Sequence, residues 1–204
     1  MSICYLVGAG DFTAFSKEPG DLVIAADGGY VKALASCRPD VLVGDFDSLP
    51  IERPEGVETH AHPVKKDETD MMLAYRIGVE KGYREFVIVG GTGGRPDHTF
   101  ANYSLLLHIA EQGNSAKMID VSYEYSVVKN SEFLLELSSS RSRTVSVFAI
   151  GGEARGVDIA GLEYEVEDVT LSPSFALGVS NAYIGRPARI SVRSGALLIM
   201  WERG

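Results

Sequence analysis

The chain has 204 residues, 45% of them hydrophobic, which suits one large domain or two small ones with real cores. Its formal net charge of -9 and pI near 4.9 oppose binding to nucleic acid or anionic membranes, because both want a basic face. They leave room for a small phosphate ligand, since a metal ion reconciles an acidic protein with an acidic ligand.

The start, M-S-I-C-Y-L-V-G, has no basic leader, and no apolar run approaches membrane-spanning length, so a cytoplasmic protein with no membrane partner is expected. Cys4 and Cys37 lack C-x-x-C spacing and read as reduced, packed thiols.

Short apolar runs alternate with helical patterns through the first part. Ile3–Val7, Leu22–Ala25, Val41–Val43, Phe86–Val89 and Ala116–Ile119 read as buried strands. Residues 69–81 form a helix pattern with Leu73, Ala74 and Ile77 on one face. Residues 98–111 form another with Phe100, Tyr103, Leu107 and Ala110, stopped by Gly113. This alternation predicts an α/β domain over residues 1–122 with a mainly parallel sheet.

From about Val121 the texture changes. Phe133–Leu137, Thr144–Ile150, Gly156–Ile159, Glu163–Val166, Ala188–Val192 and Ala196–Trp201 are short, often alternating and punctuated by Gly, Ser and Pro. R193-S-G-A196 has the composition of a hairpin turn. Residues 123–204 are therefore expected to form an all-β antiparallel sandwich or barrel. The serine-rich S138-S-S-R-S-R143 reads as a mobile loop.

The chemically unusual clusters follow predicted strands: A25-A-D-G-G-Y30, G44-D-F-D-S48 and G90-G-T-G-G-R-P-D-H98. K65-K-D-E-T-D70 instead opens a helix. In an open parallel sheet the carboxyl ends of the strands share one edge, so Asp27, Asp45, Asp47 and Asp97 would line one rim. Asp45 and Asp47, two apart on an extended chain, lie roughly 6.6 Å apart on one side. They can share a hard cation such as Mg²⁺. D-x-D alone reads more simply as an acidic turn with Ser48 as a local cap, since short motifs match often by chance.

Asp67 or Thr69 can cap the helix, and acids in its first turn suit the dipole. Asp70 could face the rim as a third carboxylate, and Lys66 could meet a phosphate oxygen. The four glycines between Gly90 and Gly94 let backbone N–H groups approach an anion. Arg95 can fork onto phosphate, and Asp97 can cap the following helix or join the metal set. The order of residues is neither a Walker loop nor the dinucleotide fingerprint. Spacing for zinc is absent.

A26-D-G-G29, G44-D-F-D-S48, K66-D-E-T-D70 and G93-G-R-P-D-H-T-F-A-N102 resemble, in order and spacing, the motifs of the thiamine pyrophosphokinases. G178-V-S-N181 and R189-I-S-V-R-S-G-A-L-L-I199 resemble that family's thiamine-binding β domain. The resemblance implies transfer of a pyrophosphoryl group from ATP to the thiamine hydroxyl, giving thiamine diphosphate and AMP. It also implies Mg²⁺ dependence and a homodimer whose sites are shared between subunits.

Carried over by motif, Asp45, Asp47 and Asp70 would bind metal, with Lys66 and Arg95 completing the catalytic set. Asp27, Gly28, Ser48, Thr69, Asp70, Gly93, Gly94, Arg95 and Asp97 would form the ATP site, and Ser180, Asn181 and Asn102 would meet thiamine. The chain departs from the pattern at Pro96, where a larger aliphatic residue is usual, and at Ala182, where an acid is common. Trp201 could stack on the substrate, but closing the core is the simpler role. A dehalogenase-like phosphatase also uses D-x-D, but it carries a threonine where this chain has Leu49.

Overall fold

The computed structural model describes residues 2–45, 55–61, 68–137 and 143–203, and its chain divides into two compact units. The first comprises Met1–Leu105 and Asn114–Val121; the second, Leu106–Gly113 and Ser122–Gly204. No helix among the described residues is long and apolar enough to cross a membrane.

The first unit is built on β1 (Cys4–Val7), β2 (Leu22–Ala26), β3 (Val41–Gly44), β4 (Glu58–Ala61), β5 (Glu85–Val89) and β6 (Ser115–Ile119). Their order is β6-β5-β1-β2-β3-β4, and every pairing is parallel. β1, β2 and β3 are buried along their whole length, as continuous apolar runs require in a sheet's interior. β4 has no apolar run to announce it: E-T-H-A is a half-exposed edge strand.

Helices α1 (Gly29–Ala33) and α2 (Asp70–Glu80) pack against this sheet. In α2, Leu73, Ala74 and Ile77 are buried as expected, joined by Met71, Tyr75 and Gly78. A side chain at Gly78 would collide with the Phe86 ring and the Cys4 sulfur, so a bare backbone sets how closely α2 approaches β1 and β5. Burial pushes the Cys4 thiol up, which keeps it protonated and unreactive.

α3 (Pro96–Glu111) begins two residues before its expected start and ends at Glu111 as expected, with Gly113 in the left-handed region beyond it. Its buried stripe differs from the expectation. Asn102, Leu105, Leu106 and Ile109 are buried, whereas Phe100 is 72% exposed. A polar residue inside the inward-facing stripe shifted the phase read from hydropathy.

The second unit contains β7 (Tyr123–Lys129), β8 (Glu132–Leu135), β9 (Arg143–Ala149), β10 (Ala154–Ala160), β11 (Val166–Leu171), β12 (Gly178–Tyr183), β13 (Ala188–Ser194) and β14 (Ala196–Glu202). Its described strand pairings are all antiparallel, in the orders β12-β9-β14-β7 and β11-β10-β13-β8. Side chains of both sets share one core, including Val145, Val157, Ile190, Leu197 and Trp201, so the arrangement is a sandwich. Trp201 is buried and lies 5.2 Å from the Phe133 ring, as a core tryptophan should.

The R193-S-G-A196 turn is not a hairpin. β13 pairs with β10 and β8, whereas β14 pairs with β7 and β9. Gly195 (φ +104°) turns the chain from one sheet into the other, where a side chain would strike the Glu153 carbonyl. The local residues of a hairpin and of this crossover are the same; the distant partners decide. Residues 138–142 of the expected mobile loop lie outside the described residues.

Candidate active site

In the first unit the chain grows from β1 through β2, β3 and β4, then returns to the other side of β1 with β5 and β6. The order therefore reverses between β1 and β5, the place where open parallel sheets hold ligands beyond their carboxyl ends. Two glycine segments meet there, Gly8-Ala9-Gly10 after β1 and Gly90–Gly94 after β5.

They are joined backbone to backbone. Gly8 N donates to the Val89 carbonyl (2.8 Å), Gly10 N to that of Gly90 (2.9 Å) and Asp11 N to that of Thr92 (2.7 Å). A Cβ on Gly10 would lie 1.9 Å from the Thr92 oxygen, and one on Gly90 would lie 2.3 Å from the Gly8 oxygen. Several of these glycines thus serve contact within the protein. Gly94 differs, because nothing lies within 4 Å of where its Cβ would be.

A cleft of about 390 Å³ opens at this junction, within the range of small-molecule sites. Of the predicted residues, Asp27, Thr69, Asp70, Gly93, Gly94, Arg95 and Asn102 line it. Gly28 is half-buried at the start of α1, outside that lining. Asp47, Ser48 and Lys66 lie outside the described residues.

Asp27 has a left-handed backbone (φ 43°), unusual for a residue with a side chain. Its N–H donates to the Val43 carbonyl at 2.9 Å, and its carboxylate rests against Gly44. Gly44 takes φ 142°, a backbone that favours glycine, and a Cβ there would fall 1.6 Å from Asp27 Oδ1. The fold thereby brings Asp27 beside Gly44, the residue before Asp45, although Asp45 is not among the lining residues of the cleft.

Thr69 caps α2, its hydroxyl accepting from Met72 N at 3.2 Å, and Asp67 lies outside the described residues. Asp70 is the first helical residue, where the helix's positive end favours a carboxylate. Arg95 and Asp97 form a two-pronged pair at 2.6 and 3.1 Å, both exposed. The guanidinium hydrogen bond holds the Asp97 carboxyl below its ordinary range, and Asp97 in turn raises Arg95. Asn102 is buried and donates to the Gly91 carbonyl at 2.7 Å. Among the described residues no group of three or more His, Cys, Asp or Glu side chains could hold a metal ion.

Ser180 and Asn181 belong to the second unit, on β12. Pairing with β9 is irregular between Gly178 and Asn181, and Ser180 takes φ 58° there, the mark of a bulge. Ser180 N donates to Ser146 Oγ at 3.0 Å. Asn181 is buried: its Oδ1 accepts from Tyr164 N (3.0 Å) and its Nδ2 donates to the Tyr164 carbonyl (2.7 Å). That amide clamps the backbone of Tyr164, whose residue is 65% exposed.

Sequence reasoning missed Gly8, Ala9 and Gly10, which line the cleft as fully as the second glycine segment does. The available signal was a G-x-G directly after the first apolar run.

Comparison with known proteins bears on both units. The family model described as thiamin pyrophosphokinase, catalytic domain, matches residues 16–118, and that described as thiamin pyrophosphokinase, vitamin B1 binding domain, matches residues 132–197. Thiamine pyrophosphokinase of Bacillus subtilis (strain 168) is 26% identical over 196 residues, covering 93% of this chain and 91% of that protein. The crystal structure of thiamin pyrophosphokinase from Geobacillus thermodenitrificans superposes with a TM-score of 0.85 at 25% identity, covering 99% of this chain and 98% of the other. The yeast enzyme shares the fold, with a TM-score of 0.77 at 14% identity over 98% of this chain and 86% of its own. The chain belongs to the thiamin pyrophosphokinase family, and its reaction is the ATP-dependent transfer of a pyrophosphoryl group to thiamine, yielding thiamine diphosphate.

Proposed function

We propose that this transfer takes place at the glycine-walled cleft of the first unit, with Mg²⁺ held by Asp45, Asp47 and Asp70. The supporting observation is the meeting of Gly8–Gly10 and Gly90–Arg95 where strand order reverses, with Asp27 and Asp70 on the same cleft. The donors fit a hard cation: all are carboxylate oxygens, and the bare Gly44 makes room for the Asp27 carboxylate one residue before Asp45. When bound, Mg²⁺ supplies positive charge against the polyphosphate.

The chain's own groups do the rest. Asp27, Gly28, Ser48, Thr69, Asp70, Gly93, Gly94, Arg95 and Asp97 surround ATP. The exposed Gly93-Gly94 turn presents backbone N–H groups to phosphate oxygens. Lys66 and Arg95 neutralise charge on the moving group, and Arg95 exchanges part of its pairing with Asp97 for phosphate. Ser180, Asn181 and Asn102 hold thiamine so that its hydroxyl oxygen meets the β-phosphorus and AMP departs. A loose transition state makes alignment and charge more important than a dedicated base.

Residues 1–122 act as the ATP/Mg²⁺ domain and residues 123–204 as the thiamine domain of a cytoplasmic homodimer with shared sites. Incubation with ATP, Mg²⁺ and thiamine should yield AMP and thiamine diphosphate in equal amounts. Free phosphate without AMP would overturn the assignment, and loss of turnover on chelation tests the metal.

A further inference from the structure

The segment that presents Gly93, Gly94 and Arg95 to the cleft has an anchor that lies outside the catalytic and substrate-binding sets. Thr92 is buried, 6% exposed, directly before two successive left-handed glycines, Gly93 (φ 77°) and Gly94 (φ 66°). It is tied at both ends. Its carbonyl accepts from Asp11 N at 2.7 Å, and its hydroxyl donates to Asp120 Oδ2 at 3.1 Å. Asp120 follows β6 directly, so the second tie reaches across from the neighbouring parallel strand.

A carboxylate only accepts hydrogen bonds, so at Asp120 it fixes the Thr92 hydroxyl as donor and thereby its rotamer. A charged acceptor also makes the bond stronger than a neutral pair would. Beyond Thr92 the turn is held by the packing of the Asp11 carboxylate in the space of the missing Gly93 side chain, 2.4 Å from where a Cβ would be. On its other side, Gly91 is held by Asn102. The aim of the exposed turn therefore depends on what holds Thr92.

We infer that Asp120 is a positioning residue for ATP, acting through the Thr92 hydroxyl to set the direction of the Gly93–Arg95 turn. This rests on the reading of that turn as the polyphosphate site. Neither Thr92 nor Asp120 touches substrate in this scheme, so thiamine binding does not depend on them.

The test uses the full chain and α,β-methylene ATP with Mg²⁺, binding being measured by calorimetry alongside KM for each substrate, kcat and the urea midpoint. Thr92→Val and Asp120→Ala should weaken analogue binding and raise KM for ATP about tenfold, the scale of one lost charge-assisted hydrogen bond. KM for thiamine should stay unchanged, and Thr92→Ser, which keeps the hydroxyl, should bind as the parent does. Arg95→Ala serves as the control for the site itself. If it weakens binding while Thr92→Val and Asp120→Ala do not, the positioning role is overturned and the site stands. If Arg95→Ala is also without effect, the site assignment fails first. Should Thr92→Val not fold, Asp120→Ala decides, and equal rises in both KM values would reduce Asp120 to a structural residue.

Discussion

The two units solve different problems with their polar residues. In the first, β1, β2 and β3 are buried throughout and the cleft opens beyond the strand ends. In the second, strands alternate, as in β13 with Ala188, Ile190 and Val192 inward and Arg189 and Arg193 outward. There the arginines are matched on the surface, Arg189 with Glu132 and Arg193 with Asp168, each at 2.7 Å. A parallel sheet buried within its strands has only its rim to offer a ligand, whereas a sandwich can place polar groups along a whole face. The contrast teaches where substitutions should be costly for stability and where for turnover.

That contrast can be broken most sharply in the sandwich core. Trp201→Ala should cost about 3–5 kcal/mol in urea unfolding, the usual penalty for truncating a buried aromatic. A loss below about 1 kcal/mol would mean the second unit is not organised around that ring. At the proposed metal ligands, Asp45→Asn or Asp47→Asn should lower kcat by roughly 10²-fold or more with an unchanged unfolding midpoint. Normal turnover would show these acids to be solvated surface groups.

Gly10→Ala sharpens the comparison, because it places a Cβ 1.9 Å from a backbone oxygen where nothing flexible can yield. It should cost about 1–3 kcal/mol by overpacking, and a neutral result would mean the two glycine segments are not in contact. Arg193→Ala should change stability by only about 0.2–1 kcal/mol, since both partners of its pair are exposed. The smallest effect is in pH. Arg95 lowers the Asp97 pKa below its ordinary 3.8, so the pair is intact above that value and is lost as pH falls through the lower one. Carboxyl NMR should find the midpoint below 3.8 in the parent and higher in Arg95→Ala; an unmoved midpoint would mean the pair does not hold it down.

Legibility followed the range of the forces involved. β1, β2, β3 and β5 could be read because buried parallel strands leave unbroken apolar runs. β4 and β7 left none: E-T-H-A is an edge, and Tyr123–Lys129 mixes buried and half-buried positions. The phase of α3 was misread because Asn102 is buried through a bond to Gly91, a contact no hydropathy pattern encodes. The cleft was legible at Asp27, Asp70 and Arg95, whose residue types stand out in the sequence and which line it. It was not legible at Gly8–Gly10 or Thr92, whose roles come from a neighbour about eighty residues away in one case and from Asp120 in the other.

The crossover at Gly195 bears on how the second unit is made. β7 and β9 do not bond to each other; β14 lies between them and pairs with both. During synthesis those two strands emerge long before the one that unites them, and their inner edges wait without partners. Closure of that sheet is thus a late, long-range event that local turn preferences cannot hasten. A growing chain halted before Ala196 would carry two open β edges, the kind of surface on which chaperones or neighbouring chains take hold.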